Sequence, residues 1–285
     1  MRSRSFHTEP ADSANVDSTL KRRILTALVM APAALGAVFF LDNELFSVFF
    51  LLVSAAALYE WLSMLSLAYV VRWGGLGAYA GGAWVLFSNA DLQMPMLYVG
   101  GFFWVLALLT LALHGRGFNV FRTDAVLALT GLVMSWAAWL GIVLIQAAPE
   151  GHWWILWAFG IAWGADVGAY FAGKRFGKTK LAPNISPGKT WEGVAGGVLL
   201  AGILCGGGIF VWQPNGLLWL LLTLLFIALS VCGDLFESFV KRQTGVKDSG
   251  HLLPGHGGVL DRIDSILIVL PMLAIVLFGF RLGSV

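Results

Sequence analysis

The sequence predicts an all-α polytopic integral membrane protein with about nine transmembrane helices, a cytoplasmic N-terminus and a polar cavity open to the cytoplasmic side. Three observations carry that prediction. Hydrophobic residues make up 58% of the chain and charged residues only 12%, with a mean hydropathy of +0.80, whereas a soluble domain carries about 25% charged residues. The apolar residues fall in runs of roughly the 20 that a helix needs to cross a bilayer. The basic residues gather at alternate ends of those runs. The same composition excludes a disordered chain. Cys205 and Cys232, both inside apolar runs, exclude a disulfide-stapled fold and read as small core residues. A formal net charge of +2 argues against a nucleic-acid partner.

Residues 1–20 are polar, carry Glu9, Asp12 and Asp17, and read as a cytoplasmic tail. A secretory signal would open on a basic stretch and close on a small-residue cleavage site. Lys21, Arg22 and Arg23 instead anchor an uncleaved first span. Spans are predicted near 24–41, 45–66, 73–88, 95–113, 125–147, 153–173, 193–212, 217–240 and 260–282, the third short and rich in glycine. Backbone groups in hydrocarbon must be satisfied internally, and no alternating pattern marks a barrel, so each span is helical. With the N-terminus in the cytoplasm, every Lys and Arg except Arg281 falls in the tail or a cytoplasmic loop, as the positive-inside rule requires. The chain thus divides into the tail 1–20, five N-terminal spans over 21–150, and a C-terminal region over 151–285 with four spans and two basic loops. Gly77-x-x-x-Gly81 and Gly193-x-x-x-Gly197 are spacings that let helices approach closely, within one bundle or at a dimer seam.

Charges inside spans are expensive and mark function. Asp166 and Asp234 lie roughly 10–12 Å below the cytoplasmic surface, at about 1.5 Å per residue from Lys174 and Lys241. Glu60, Glu192, Asp261 and Asp264 lie at comparable or shallower depth on the same side. Helical spacing groups these acids. Asp234, Glu237, Ser238 and Lys241 form one polar stripe, Asp261 and Asp264 share a face, and Asp166, Tyr170 and Lys174 form a third stripe. Three stripes turned inward describe a polar cavity facing the cytoplasm. The alternative is a set of structural ion pairs with the neighbouring Lys and Arg.

Aspartates without thiols or clustered histidines suit a hard cation such as Mg²⁺, completed by ligand phosphates. The flanking loops, 173–193 and 241–262, interleave Lys and Arg with glycine, a composition suited to phosphate. SPGKT at 186–190 looks like the end of a P-loop, but Pro183 stands where the first glycine belongs and no strand is predicted ahead of it. The Walker reading is therefore rejected, and a phosphate at the following helix N-terminus remains open. His251 and His256, five apart without a thiol, make a poor zinc pair. His256-Gly257-Gly258 reads better as a tight turn contacting phosphate or base. Snorkelling to anionic lipid headgroups accounts for Lys21, Arg22 and Arg23 but not for the Gly- and Pro-interleaved loops.

The stretch 238–264, SFVKRQTGVKDSGHLLPGHGGVLDRID, resembles the signature of the phosphatidate cytidylyltransferase (CDP-diacylglycerol synthase) family. It fits S-x-x-K-R-x4-K-D-x5-P-x-H-G-G-x-x-D-R-x-D throughout. DVGAYFAGKRFGKTKLAPNISPGKTWEG at 166–193 and GDLFES at 233–238 resemble the family too. Across the first half the likeness rests on hydropathy and the Glu60-Trp61 pair. The resemblance implies transfer of a cytidylyl group from CTP to phosphatidic acid, giving CDP-diacylglycerol and pyrophosphate for phospholipid biosynthesis. It also implies Mg²⁺, a site on the cytoplasmic face of a bacterial inner (plasma) membrane, a second, monovalent cation such as K⁺, and activity as a homodimer.

On this reading Asp234 and Asp261 hold the metal, and Asp264 supports them or holds the second cation. Lys241, Arg242, Lys247 and Arg262 take the triphosphate, while Ser186 and Lys189 take the phosphatidate headgroup. Asp166, Glu192, Ser238, Asp248, His256, Gly257 and Gly258 complete the expected substrate site. A phosphate monoester has a second pKa near 6, so phosphatidate needs little help from a base, and the site's task is to neutralise and align two anions. Two rivals are weaker. An ion-coupled transporter would place acids at the midplane of two similar halves. Another metal-dependent lipid-phosphate transferase, of the CDP-alcohol type, would show D-x-x-D-G-x-x-A-R.

Overall fold

A computed structural model describes residues 28–206, 216–253, 255 and 257–280. The tail, Lys21 to Arg23, His256 and Arg281 lie outside the described residues. Helices α1 (Leu28–Phe40), α2 (Asn43–Met64), α3 (Tyr69–Ser88), α4 (Ala90–Leu113), α5 (Asp124–Ala147) and α6 (Gly151–Phe176) come first. A hairpin of β1 (Lys180–Ala182) and β2 (Ser186–Thr190) leads into α7 (Trp191–Ala201), whose last turn widens into a π-helix over Gly202–Gly206. After it come α8 (Gly216–Gln243), α9 (Leu260–Ile263) and α10 (Ile266–Ala274), the last also ending in a π-turn, Ile275–Gly279. Each apolar run marked in the sequence contains a helix. Among the described residues, five helical segments, Asn43–Met64, Ala90–Arg116, Asp124–Ala147, Gly151–Phe176 and Gly216–Gln243, are long and apolar enough to cross a membrane.

Within this helical architecture the 174–192 loop carries a short antiparallel hairpin in which Lys180 pairs with Thr190 and Ala182 with Ser186. A strand, β1, does precede SPGKT, contrary to expectation, but SPGKT is itself the paired second strand rather than a loop between strand and helix, so the Walker reading still fails. The last span is not one continuous α-helix. It breaks at Asp264-Ser265 and passes Pro271. Proline cannot donate to the carbonyl four residues back, that of Leu267. The Trp104 indole N–H donates to that carbonyl at 3.1 Å instead, satisfying a group that hydrocarbon would leave bare.

Helix α5 is the centre of the bundle and packs against α2, α4, α6 and α10. Indole N–H groups stitch the helices together: Trp61 to the Leu127 carbonyl at 2.8 Å and Trp139 to the Ser47 carbonyl at 2.9 Å. Helix–helix hydrogen bonds in membranes are worth about 0.6 to 2 kcal/mol each, so their number matters more than any one. Glycine decides the closest approach, between α6 and α7. A Cβ on Gly168 would stand 2.9 Å from the Gly197 Cα, and one on Gly197 would stand 2.7 Å from the Ala165 carbonyl oxygen. The Gly193/Gly197 spacing therefore serves packing within the bundle. A Cβ on Gly77 or Gly81 would meet no atom within 4 Å among the described residues.

Candidate functional site

At one end of the bundle, α6, the hairpin, α8 and the segment leading into α9 enclose an open cavity of about 1090 Å³. Helix α6 contributes Asp166, Tyr170 and Lys174, and β2 contributes Lys189. Helix α8 contributes Asp234, Glu237 and Lys241; the C-terminal segment contributes Asp248, His251, Gly257, Asp261, Arg262 and Asp264. The three polar stripes read from helical spacing thus meet in one space. Six carboxylates face four basic groups along its walls.

Ion pairs organise the wall. Lys189 Nζ stands 2.5 Å from Asp234 Oδ2 and ties β2 to α8. Lys241 Nζ lies 2.8 Å from Glu237 Oε2 and 2.7 Å from Asp261 Oδ1, bridging α8 to α9. The ion-pair alternative is therefore realised for Asp234, Glu237 and Asp261, but inside the cavity rather than in place of it. Asp261 also accepts the Gly258 N–H at 2.9 Å. Gly257 has φ +82°, a conformation glycine adopts without strain, and a Cβ there would press on Asp261 at 2.9 Å. The Leu253 N–H donates to the Gly257 carbonyl at 3.0 Å.

The carboxylate group best suited to a cation is Asp234, Glu237 and Asp264, whose ligand oxygens lie within 4.8 Å of one another. Asp234 is common to this group and to the pair expected from the sequence; Asp261 stands outside the group, on Lys241. An all-oxygen donor set without thiol or imidazole fits Mg²⁺. Glu237 Oε1 is buried without a hydrogen-bond partner among the described residues, as an unused ligand atom would be. Among the described residues no histidine joins the group. Beneath it, Phe236 packs edge-on against Phe121 and Trp104, at 5.0 and 5.7 Å between ring centroids, giving the acids a stiff apolar floor.

Several expected contact residues do not line this cavity. Arg242 donates from Nε to the Ile185 carbonyl at 3.2 Å, fastening the hairpin to the end of α8. Glu192, just ahead of the predicted 193–212 span, accepts the backbone N–H groups of Lys178 and Thr179 at 3.1 Å. Its own amide, then that of Lys178, holds its carboxyl down at about 2. Ser238 turns toward Asp234, with Oγ 3.5 Å from Oδ1. Ser186 pairs with Ala182 in the hairpin, the Gly258 N–H is taken by Asp261, and Lys247 is exposed away from the wall. His256 lies outside the described residues. Ser186, Glu192 and Arg242 are thus engaged by the hairpin, and Gly258 by Asp261.

Sequence reasoning missed two residues. Glu237 stood in the α8 stripe but was given no ligand role, although its i+3 spacing from Asp234 already placed it on the same face. Glu60, on α2, is 2% exposed and reaches the C-terminal segment, accepting the Leu260 N–H at 2.9 Å. Its depth was legible from the sequence; its partner was not.

Comparison with known proteins identifies the family. The profile of the cytidylyltransferase family matches residues 21–280. The chain is 40% identical to the phosphatidate cytidylyltransferase of Pseudomonas aeruginosa over 272 residues, covering 93% of this chain and 99% of that protein. It is 36% identical to the Bacillus subtilis protein of the same name, covering 92% and 98%, and 34% identical to that of Haemophilus influenzae, covering 88% and 96%.

Proposed function

The chain belongs to the cytidylyltransferase family, and from that premise we propose that it transfers the cytidylyl group of CTP to phosphatidate in the membrane, giving CDP-diacylglycerol and pyrophosphate. The observation that carries this reading is the mixed charge of the cavity. Six acids against four bases repel a bare triphosphate, so a nucleotide enters only with cations that the acids hold. A cavity for phosphate alone would be basic throughout.

Asp234, Glu237 and Asp264 would hold Mg²⁺, which when bound supplies positive charge to the phosphate oxygens and lowers the repulsion between the two substrates. The expected role of Asp261 as a ligand requires exchange of its Lys241 partner for the cation. The monovalent cation implied by the family resemblance would draw on the same acids, Asp264 first.

The chain's own groups do the rest. Lys189, Lys241 and Arg262 neutralise substrate phosphates, and the stiff α8 floor keeps them in register. The phosphatidate phosphate, ionised at neutral pH, attacks the α-phosphorus of CTP. A P–O bond forms there as the bond to the leaving pyrophosphate breaks, and no general base is needed. Close alignment of the reactants converts binding energy into rate. The distribution of Lys and Arg supports nine spans with the cavity on the cytoplasmic face of a bacterial inner membrane.

The test is pyrophosphate release by the purified protein in detergent micelles, with each substrate omitted in turn, with Mg²⁺ or chelator, and with Asp261→Asn. Release is expected only with both substrates and the metal, and to fall by about 10² in the variant, as for loss of a charge-stabilising group. A folded wild-type protein that releases no pyrophosphate with any phosphatidate tried would overturn the reading.

A further inference from the structure

Glu60 is the one acid of the N-terminal half that reaches the cavity's supporting segment among the described residues. Its Oε2 accepts the Leu260 N–H at 2.9 Å and lies 3.4 Å from the Ser249 hydroxyl, which donates to it. Gly250 and Gly258 flank it, and a Cβ on either would overlap the Glu60 carboxylate. The same segment is held from its other side by Asp261. The Ser249 N–H lies 3.4 Å from both Asp261 carboxylate oxygens, and the Gly258 N–H lies 2.9 Å from Oδ2. Ser249 therefore uses its hydroxyl on Glu60 and its amide on Asp261, and Asp261 in turn holds Lys241 at 2.7 Å.

We propose that Glu60 is a positioning residue, which holds the 249–260 segment through Ser249 and Leu260 so that Asp261 and Lys241 keep their places in the cavity. It touches no substrate. Two observations favour this over simple packing. A buried carboxylate on an apolar helix is costly, and a hydrophobic side chain would fill the same space without that cost. Two glycines also leave their side-chain space to the carboxylate, so the segment is shaped around an acceptor. The role places the N-terminal bundle in the reaction as the fixed support of a C-terminal segment. It rests on the cavity being the reaction site proposed above.

Hydrogen exchange and kinetics in the full-length protein test it together. In Glu60→Ala, the amides of Ser249 and Leu260 are expected to exchange faster. In the same variant kcat falls on the order of 10²-fold, as for a displaced catalytic group, with a smaller change in KM for CTP. Glu60→Gln, which keeps a carbonyl acceptor, retains wild-type exchange and kcat. Ser249→Ala gives smaller changes in the same direction, and its effect disappears in the Glu60→Ala background, because contacting residues are not additive. Unchanged exchange at 249–260 in Glu60→Ala, or independent effects of the two variants, overturns the proposal. Should Glu60→Ala not fold, wild-type exchange and kcat in Ser249→Ala overturn it equally. Faster exchange beside a wild-type protein that releases no pyrophosphate would sink the reaction and keep the role of Glu60 in holding the segment.

Discussion

Lys241 Nζ lies 2.7 Å from Asp261 Oδ1, so the first acid of α9 is paired with a lysine from the neighbouring helix. Lys241 is also shared with Glu237 at 2.8 Å. One cationic group thus neutralises two acids that would otherwise repel each other at the junction of α8 and α9. On the proposed reading, a divalent cation entering the cavity would compete with it.

Replacing Lys241 by Met makes this competition measurable. Both carboxylates lose their partner, and breaking a buried pair costs about 3–5 kcal/mol. The melting temperature in chelator is expected to fall, and Mg²⁺ is expected to restore more of it than in the wild type. Pyrophosphate release should drop by about 10². Equal Mg²⁺ stabilisation of the two proteins would show that lysine and metal do not share the site.

The three-acid group predicts an order of metal dependence. Asp264→Asn and Glu237→Gln are expected to raise the Mg²⁺ concentration for half-maximal activity more than Asp261→Asn does, since Asp261 is outside the group whose oxygens lie within 4.8 Å. A Mg²⁺ titration of the three variants checks it; the reverse order would return the metal to the Asp234/Asp261 pair.

Packing of α6 on α7 positions Asp166 against the hairpin that carries Lys189. Gly168→Ala must push these helices apart, because its Cβ would fall 2.9 Å from the Gly197 Cα. Overpacking of this kind costs about 1–3 kcal/mol. Lower thermal stability in detergent is expected together with lower activity, whereas Gly77→Ala, with nothing within 4 Å, should change neither.

Trp104 and Pro271 form a compensating pair. Trp104→Phe removes the donor to the Leu267 carbonyl and is expected to cost about 1–2 kcal/mol. In a Pro271→Ala background a backbone N–H returns to that carbonyl, so the same substitution should cost less. Additive losses in denaturation measurements would refute the pairing.

Glu192 holds the start of the hairpin through backbone amides, which place its carboxyl at about 2. A depressed carboxylate stabilises above its unfolded value of about 4.3 and loses that contribution as pH falls through the folded one. Wild-type protein should therefore keep the 178–190 segment protected from proteolysis down to about pH 4, while Glu192→Ala should be cleaved near Lys178 and Lys180 already at neutral pH. Equal cleavage of the two proteins at neutral pH would exclude this role.

The sequence by itself determined the membrane-embedded helical class, the places of the apolar runs, and the meeting of three polar stripes. Those properties follow from local quantities: run length, the helical period, and the price of charge in hydrocarbon. Asp234, Glu237 and Lys241 share a face because they are three and four residues apart, whatever surrounds them. Only the tertiary structure decided which opposite charges pair, that SPGKT is a strand, that Arg242 and Glu192 fasten the hairpin rather than line the cavity, and that Glu60 reaches across from α2. A short two-stranded hairpin is marginal alone, so its formation depends on α7 and α8 beside it. The partner of Glu60 lies 200 residues away at Leu260, a separation that no spacing rule along the chain can bridge.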